Sequence, residues 1–363
     1  MKMMRKNAIK IYGEIKGIKY KLFLASPLTR FGIEQLDKAL SEKGNFILKV
    51  NSENEIAVSW WVSPKRTRSY PYARVYDTLA CTCKRVTIIP IMKDEGKDGE
   101  RDFLQWDTIS LMSLLGVHVI VAYYVKADRA CRHKDKVKIT NQRFDTEYLK
   151  KEIQRLVSYQ SDALHWNLEQ IDKISDIADR AFNSYKKISE DLGVEMHSME
   201  SARERIQILQ EGKKQFMELS RELAHKAQER ESRTVQPKER LNGTKGEITI
   251  KNDLGGYYYF TCDEVEICGT NIYLIEGKHT SKRNLPSKEN IKDGLIKMML
   301  YTNLENVKVD DKEYDPIPVL KLTTKGRFDE KLLSEFEHEL FNLLKEEAKC
   351  NGFRIRINET VII

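Results

Sequence analysis

Proline is scarce in this chain, 8 in 363 residues, and none falls within residues 145–231. That scarcity excludes proline-rich spacers and leaves room for uninterrupted helices. No apolar run reaches the ~18 residues that a membrane-spanning helix needs. The longest, residues 117–125, is strand-sized and contains His118. A membrane role is therefore not expected. Residues 1–17 carry positive charge but no apolar stretch and no small-residue cleavage site, so a secretory leader is not expected either. The 6 cysteines (Cys81, Cys83, Cys131, Cys262, Cys268 and Cys350) are too few and too scattered for a disulfide framework. They read as reduced thiols of a cytoplasmic protein. There is no internal repeat, no low-complexity tract, no glycine-rich phosphate loop and no Ser-His-Asp ordering.

What is present is charge. Charged residues make up 32% and apolar residues 40%, a globular balance. The 62 basic against 55 acidic residues leave a net charge of +7, which permits a polyanionic partner without requiring one. The length suits two or three domains at roughly 100–200 residues each. The pattern divides it into a mixed α/β domain (1–144), a helical hairpin arm (145–231) and a second α/β domain (232–363).

In the first part, residues 8–24 alternate about Gly17 as a β-hairpin would. A helix carrying Leu36 and Leu40 follows. Strands are predicted at 46–50, 55–62, 86–91 and 117–124, with a short helix capped by Asp107 between the last two. In the middle part, apolar residues fall three and four apart from Ile171 to Leu192, Gly193 ends the run, and a second helix is expected from about Ser198. The last part reads β-β-β-α-β-α. Its strands fall at 246–251, 257–267, 271–279 and 317–323. A helix capped by Ser287 follows the third strand, and a final helix spans residues 329–350.

The chemistry concentrates in this last part. Side chains alternate along a strand, so Glu276 and Lys278 share a face. Their apolar neighbours assign that strand to a core, where a carboxylate and an ammonium are costly unless they pair or bind something. Asp263, on the preceding strand, falls beside Glu276 or one residue out of register, and Glu264 competes with it for that position. Converging carboxylates call for a hard divalent cation, and Mg²⁺ takes oxygen ligands and binds phosphate. Mn²⁺ can substitute. The bland alternative is a surface hairpin with an ordinary Glu–Lys pair.

Asp263 followed by Glu276-Gly277-Lys278, on successive strands of an α-β-β-β-α-β order, resembles the PD-(D/E)xK nuclease superfamily and, within it, the type II restriction endonucleases. The resemblance covers about 120–150 residues; Cys262 stands where the pattern often has proline. It implies a restriction-endonuclease-like core. It also implies Mg²⁺-dependent hydrolysis of double-stranded DNA at a specific short sequence, with Asp263 and Glu276 holding the metal and Lys278 beside the attacking water and the phosphate. The resemblance further implies an acid on the preceding helix, for which Glu218 and Glu222 are candidates. It points to a homodimer on a palindromic site, whose apolar helical stripes could pair across the axis, and to a partner DNA methyltransferase. A structure-specific or repair nuclease, or a non-catalytic DNA-binding protein with a degenerate nuclease core, are the alternatives. Residues 93–115 bear a fainter likeness to restriction enzymes, with no role attached.

Candidate DNA contacts are basic residues among aromatics. Residues 63–74 offer Lys65, Arg66, Arg68, Tyr70 and Arg74, with prolines expected to keep the loop irregular. His279, Lys282 and Arg283 follow the E-x-K lysine, and residues 126–138 form another basic stretch. Two weaker metal candidates are the set Cys81, Cys83, Cys131 and His133, and the acidic run Asp94, Glu95, Asp98, Glu100 and Asp102, which reads as a solvated turn.

Overall fold

A computed structural model describes residues 8–65, 70–133, 136–198, 200–204, 244–252, 257–281, 283–324, 326 and 328–363. The chain forms two compact units, one of residues 27–220 and one that joins residues 1–26 to 221–363. This differs from a three-part division. The first strand, β1 (Ile9–Ile15), pairs in parallel with a strand beginning at Thr244, so the N-terminus belongs to the C-terminal unit. Among the described residues no helix is long and apolar enough to cross a membrane.

The unit of residues 27–220 contains β2 (Arg30–Gly32), α1 (Leu36–Glu42), β3 (Asn45–Lys49), β4 (Glu55–Trp60), α2 (Pro71–Leu79), β5 (Lys84–Pro90), β6 (Met92–Asp94), β7 (Arg101–Phe103), α3 (Trp106–Leu114), β8 (His118–Ala122), β9 (Tyr124–His133) and β10 (Lys136–Phe144). Then come α4 (Thr146–Val157), α5 (Ala163–Asp172) and α6 (Ile174–Leu192). Its main sheet runs β2-β3-β4-β5-β8, parallel except for the β3/β4 pair. Helix α3 starts after Gln105, earlier than an Asp107 cap predicts.

Of the expected helical arm, residues 146–192 form α4, α5 and α6 and pack within the unit; a second helix is present at residues 200–204, and the rest of it lies outside the described residues. Helix α5 lies along the free edge of β8 and satisfies its backbone with side chains. Trp166 Nε1 donates to the carbonyl of Val119 at 2.7 Å, and Asn167 Oδ1 and Gln170 Oε1 accept from the N–H groups of Val119 and Val121 at 2.6 and 3.3 Å. An unpaired strand edge invites association with another chain, and here it is closed internally. The stripe Ile174, Ile177, Ala181 and Ile188 of α6 is likewise buried within the unit, so it offers no surface for pairing across a dimer axis. Gly193, at φ 58°, ends α6 as its position in the sequence predicts.

The second unit is built on a nine-stranded sheet. After β1 come β11 (Thr244–Asn252), β12 (Tyr257–Cys268), β13 (Asn271–His279), helix α7 (Lys288–Tyr301), β14 (Glu305–Val309), β15 (Lys312–Glu313), β16 (Asp315–Thr323), helix α8 (Glu335–Asn351), β17 (Arg354–Ile357) and β18 (Thr360–Val361). The spatial order is β15-β14-β1-β11-β12-β13-β16-β17-β18. Strands β11, β12 and β13 form an antiparallel meander, and α7 carries the chain back so that β16 joins β13 in parallel. Ser287 caps α7, accepting from the N–H of Asn290, and Ser334 with Glu337 forms a capping box on α8.

The expected hairpin about Gly17 does not form. Only β1 is a strand, and the chain beyond it runs irregularly. Asn303 and Asn351 each make paired side-chain hydrogen bonds to its backbone, at Lys19 and Lys21 respectively. The fully buried Glu347 accepts from the N–H groups of Phe23 and Leu24. Alternation alone could not reveal this, because the partners lie about 300 residues away in sequence.

Candidate active site

The site begins with a bulge. Along β11 and β12, Gly246 faces Cys262 while Thr244 faces Val265, so β12 carries one extra residue across this step. Bulges bend a strand and re-aim its side chains. Gly246 permits this one, since a Cβ there would lie 2.4 Å from a Val265 methyl and 3.2 Å from Cys262 Cβ. On its other side β12 pairs regularly with β13 from Glu264 opposite Ile275 to Cys268 opposite Asn271. Asp263 stands just beyond that ladder. Its Oδ2 accepts the N–H of Gly277 at 2.8 Å, so its carboxylate is fastened between Glu276 and Lys278 in the chain.

Glu276 and Lys278 share a face of β13, opposite Leu320 and Leu322 of β16. Glu276 is 3% exposed. Its Oε1 lies 3.0 Å from Lys278 Nζ and its Oε2 2.6 Å from Lys297 Nζ. Lys278 also donates to Asp293 Oδ2 at 2.8 Å, and Lys297 to the carbonyl of Thr261 at 3.0 Å. Both Asp293 and Lys297 come from α7, which packs on β13 and β16. Burial works to lower the pKa of Lys278, but the carboxylates of Glu276, Asp293 and Asp263 outweigh it and hold the ammonium charged.

Glu264 belongs to the other face. It stands opposite Ile275, and its Oε2 lies 3.3 Å from Lys321 Nζ, both side chains nearly fully buried. Lys321 in turn stands opposite Gly277. Beyond them Glu266 takes a two-pronged hydrogen bond from Arg356, at 2.9 and 3.0 Å. The sheet therefore separates two ion clusters, with Asp263 acting on the Glu276–Lys278 cluster and Glu264 committed to Lys321.

Cys262, where the superfamily pattern often has proline, is buried, and burial pushes its thiol up to about 12. It stays protonated at neutral pH, and the thiolate is the reactive form. Brief iodoacetamide treatment of the native protein at pH 7.5 should therefore alkylate the exposed Cys268 and Cys350 and leave Cys262 untouched. Peptide mass spectrometry reads this directly, and modification of Cys262 at a rate matching Cys350 would show that the β12 bulge opens in solution.

The other candidates are dispersed. His279 Nδ1 lies 2.9 Å from Thr323 Oγ1 on the neighbouring strand, and Arg283 is exposed. Lys282, Arg66, Arg68, Glu218 and Glu222 lie outside the described residues. Lys65 and Tyr70 are exposed. Arg74 is a packing residue rather than a free contact. Its guanidinium sits 4.7 Å from the Trp60 ring centroid, donates to the Trp60 carbonyl at 2.7 Å and fills the space over Gly44. The last four residues of the loop expected to stay irregular, 71–74, begin helix α2, with Pro71 at its first position, where a missing N–H costs nothing.

The acidic run 94–102 is an exposed turn only in its middle, at residues 97–100, where Asp98 and Glu100 face solvent; its ends are held. Asp94 is 3% exposed and bonded to His197 Nδ1 at 2.7 Å and to the N–H of Gly96 at 2.9 Å. Glu95 pairs with Lys93, Asp98 accepts from the N–H of Val137, and Asp102 from Ser63. The basic stretch 126–138 falls on the β9–β10 hairpin. Cys81 and Cys83 are half-buried, and the side chains of Cys131 and His133 lie outside the described residues. Among the described residues no three metal-ligating side chains converge.

Sequence reasoning missed Asp293 and Lys297 as members of the site. A signal was present, since Lys297 is embedded in the run Leu295-Ile296-Lys297-Met298-Met299 with no polar neighbour. A lysine so placed needs a buried acceptor. No family model matches this chain, and neither a curated protein nor a solved structure matches it.

Proposed function

We propose that this protein is a Mg²⁺-dependent endonuclease of double-stranded DNA in the PD-(D/E)xK superfamily, acting as a type II restriction enzyme. One observation carries the reading: Glu276 and Lys278 lie in contact on one buried strand face, with Asp263 fastened to the backbone between them. The order of β11, β12, β13, α7 and β16, with the acid on the second strand and E-x-K on the third, supports it. So does the charge balance. The carboxylates of Asp263, Glu276 and Asp293 against the ammoniums of Lys278 and Lys297 leave one net negative charge, which a divalent cation converts to one net positive charge facing a phosphodiester.

The donor set fits Mg²⁺. That ion is commonly held by one or two carboxylates with waters completing its shell, and Asp263 and Glu276 supply two. A bound Mg²⁺ would supply Lewis acidity at the scissile phosphate and a more acidic water. Asp263 and Glu276 would hold it, Asp263 kept in place by the Gly277 N–H. Lys278, charged and nearly buried, would present a fixed positive charge to the phosphate and the attacking water. Recognition would fall to the unit of residues 27–220, through groups such as Lys65 and Tyr70. Two-fold symmetry of a palindromic site favours a homodimer, and protection of the host's own sites calls for a partner methyltransferase.

Incubation with plasmid and phage DNA tests the reading. Discrete fragments are expected with Mg²⁺ or Mn²⁺, little cutting with Ca²⁺, and none in excess EDTA, as gel electrophoresis will read. A smear would indicate a nonspecific or repair-type nuclease. Binding without cutting would indicate a DNA-binding protein with a silent core, and full activity in EDTA would remove the metal from the chemistry.

A further inference from the structure

The E-x-K side chains come from β13, but the groups that hold them come from α7. Lys297, 4% exposed at its side chain, spans Glu276 Oε2 and the carbonyl of Thr261 on β12. Asp293, four residues earlier and so on the same helix face, accepts from Lys278 Nζ. Between them Gly294 admits the close approach. A Cβ there would lie 3.1 Å from Lys278 Cε and 2.8 Å from Leu320 Cδ1.

We infer that Asp293 and Lys297 are positioning residues, by which α7 sets Glu276 and Lys278 through opposite charges. The inference rests on the metal-nuclease reading above. Lys297 pins one oxygen of Glu276 and so fixes the direction of the other. That second oxygen, Oε1, is shared with Lys278, which has a further acceptor in Asp293. Lys278 can thus yield Oε1 to a divalent cation and stay tethered. Removal of Asp293 leaves Lys278 leaning on Glu276 and competing with the cation. Removal of Lys297 takes away a positive charge in contact with a ligand carboxylate but frees that carboxylate to turn. The two residues therefore pull cation affinity in opposite directions, although both serve the geometry.

The test is titration of Mn²⁺ into the full chain without DNA, followed by electron paramagnetic resonance of the free ion. Circular dichroism and melting curves check the fold of every variant. Relative to wild type, Lys297→Met should bind Mn²⁺ about fivefold more tightly and Asp293→Asn about fivefold more weakly, as expected for a unit charge added to or removed from a partly screened site. Lys297→Arg should restore wild-type affinity, and Glu276→Ala should abolish the site. At saturating Mn²⁺, Lys297→Met and Asp293→Asn should both cut DNA about 10²-fold more slowly, the scale of lost orientation and charge stabilisation. A merely structural role would weaken affinity and cutting together in both variants, and that outcome, or unchanged affinities, or a wild type that binds no Mn²⁺, overturns the inference. A wild type that binds Mn²⁺ with the opposed shifts yet cuts no DNA upholds the positioning role and removes the nuclease reading.

Discussion

Lys278→Ala should reduce single-turnover cleavage of a plasmid substrate by about 10³-fold or more, the scale seen when a charge-stabilising group is removed from a reaction centre. Its melting curve should stay near that of wild type. The side chain lies at the edge of the buried cluster, 15% exposed, and its loss leaves Glu276 still paired with Lys297. Glu276 is a different case. Truncation to alanine removes a buried carboxylate that contacts both Lys278 and Lys297. Breaking a buried ion pair by removing one partner costs about 3–5 kcal/mol. Glu276→Ala should therefore lose both activity and stability. Glu276→Gln, which keeps shape and an acceptor oxygen, is the cleaner probe and should lose cleavage to the same degree with a smaller fall in melting temperature. Near-normal turnover by Lys278→Ala or Glu276→Gln would remove the E-x-K pair from the chemistry.

Legibility of this fold followed the range of the interactions. The meander β11-β12-β13, the Ser287 cap of α7 and the stop at Gly193 rest on local pattern, and each lies where the residues predict. The shared face of Glu276 and Lys278 follows from strand geometry alone. What local pattern could not carry was set by distant partners. Strand β1 reads as half of a hairpin, but its parallel neighbour begins at Thr244, and the segment after Gly17 is held by Asn303, Glu347 and Asn351. Residues 145–231 read as a helical arm, while Trp166, Asn167 and Gln170 of α5 are committed to the edge of β8. Arg74 has the composition of a DNA contact and the surroundings of a packing residue. Asp293 and Lys297 escaped notice because a helix following a motif looks structural until its polar side chains are seen to turn back onto that motif.

Asp263→Asn and Glu264→Gln should behave in opposite ways, although the two residues are adjacent and each change only removes a charge. Asp263 uses its Oδ2 to accept the Gly277 N–H, and an asparagine oxygen can do the same, so the bulge and the fold should survive. What the asparagine lacks is the second negative charge that a divalent cation would require. Cleavage should fall by about 10²–10³-fold at fixed Mg²⁺, the scale of losing one electrostatic partner at a reaction centre. Glu264 sits on the opposite face against Lys321, which is 2% exposed and whose further acidic neighbours are Glu359, mostly exposed at 3.6 Å, and Glu266, which is itself taken by Arg356. Its neutralisation leaves the Lys321 ammonium poorly compensated inside the sheet, and stability should fall by about 3 kcal/mol. Cleavage by the folded fraction should remain within a few-fold of wild type. Chemical denaturation and single-turnover cleavage on the same two preparations separate these effects. If Glu264→Gln instead abolished cutting at unchanged stability while Asp263→Asn cut normally, the reaction centre would lie on the Lys321 face of the sheet, and the cluster of Glu276, Lys278, Asp293 and Lys297 would be a purely structural ion network.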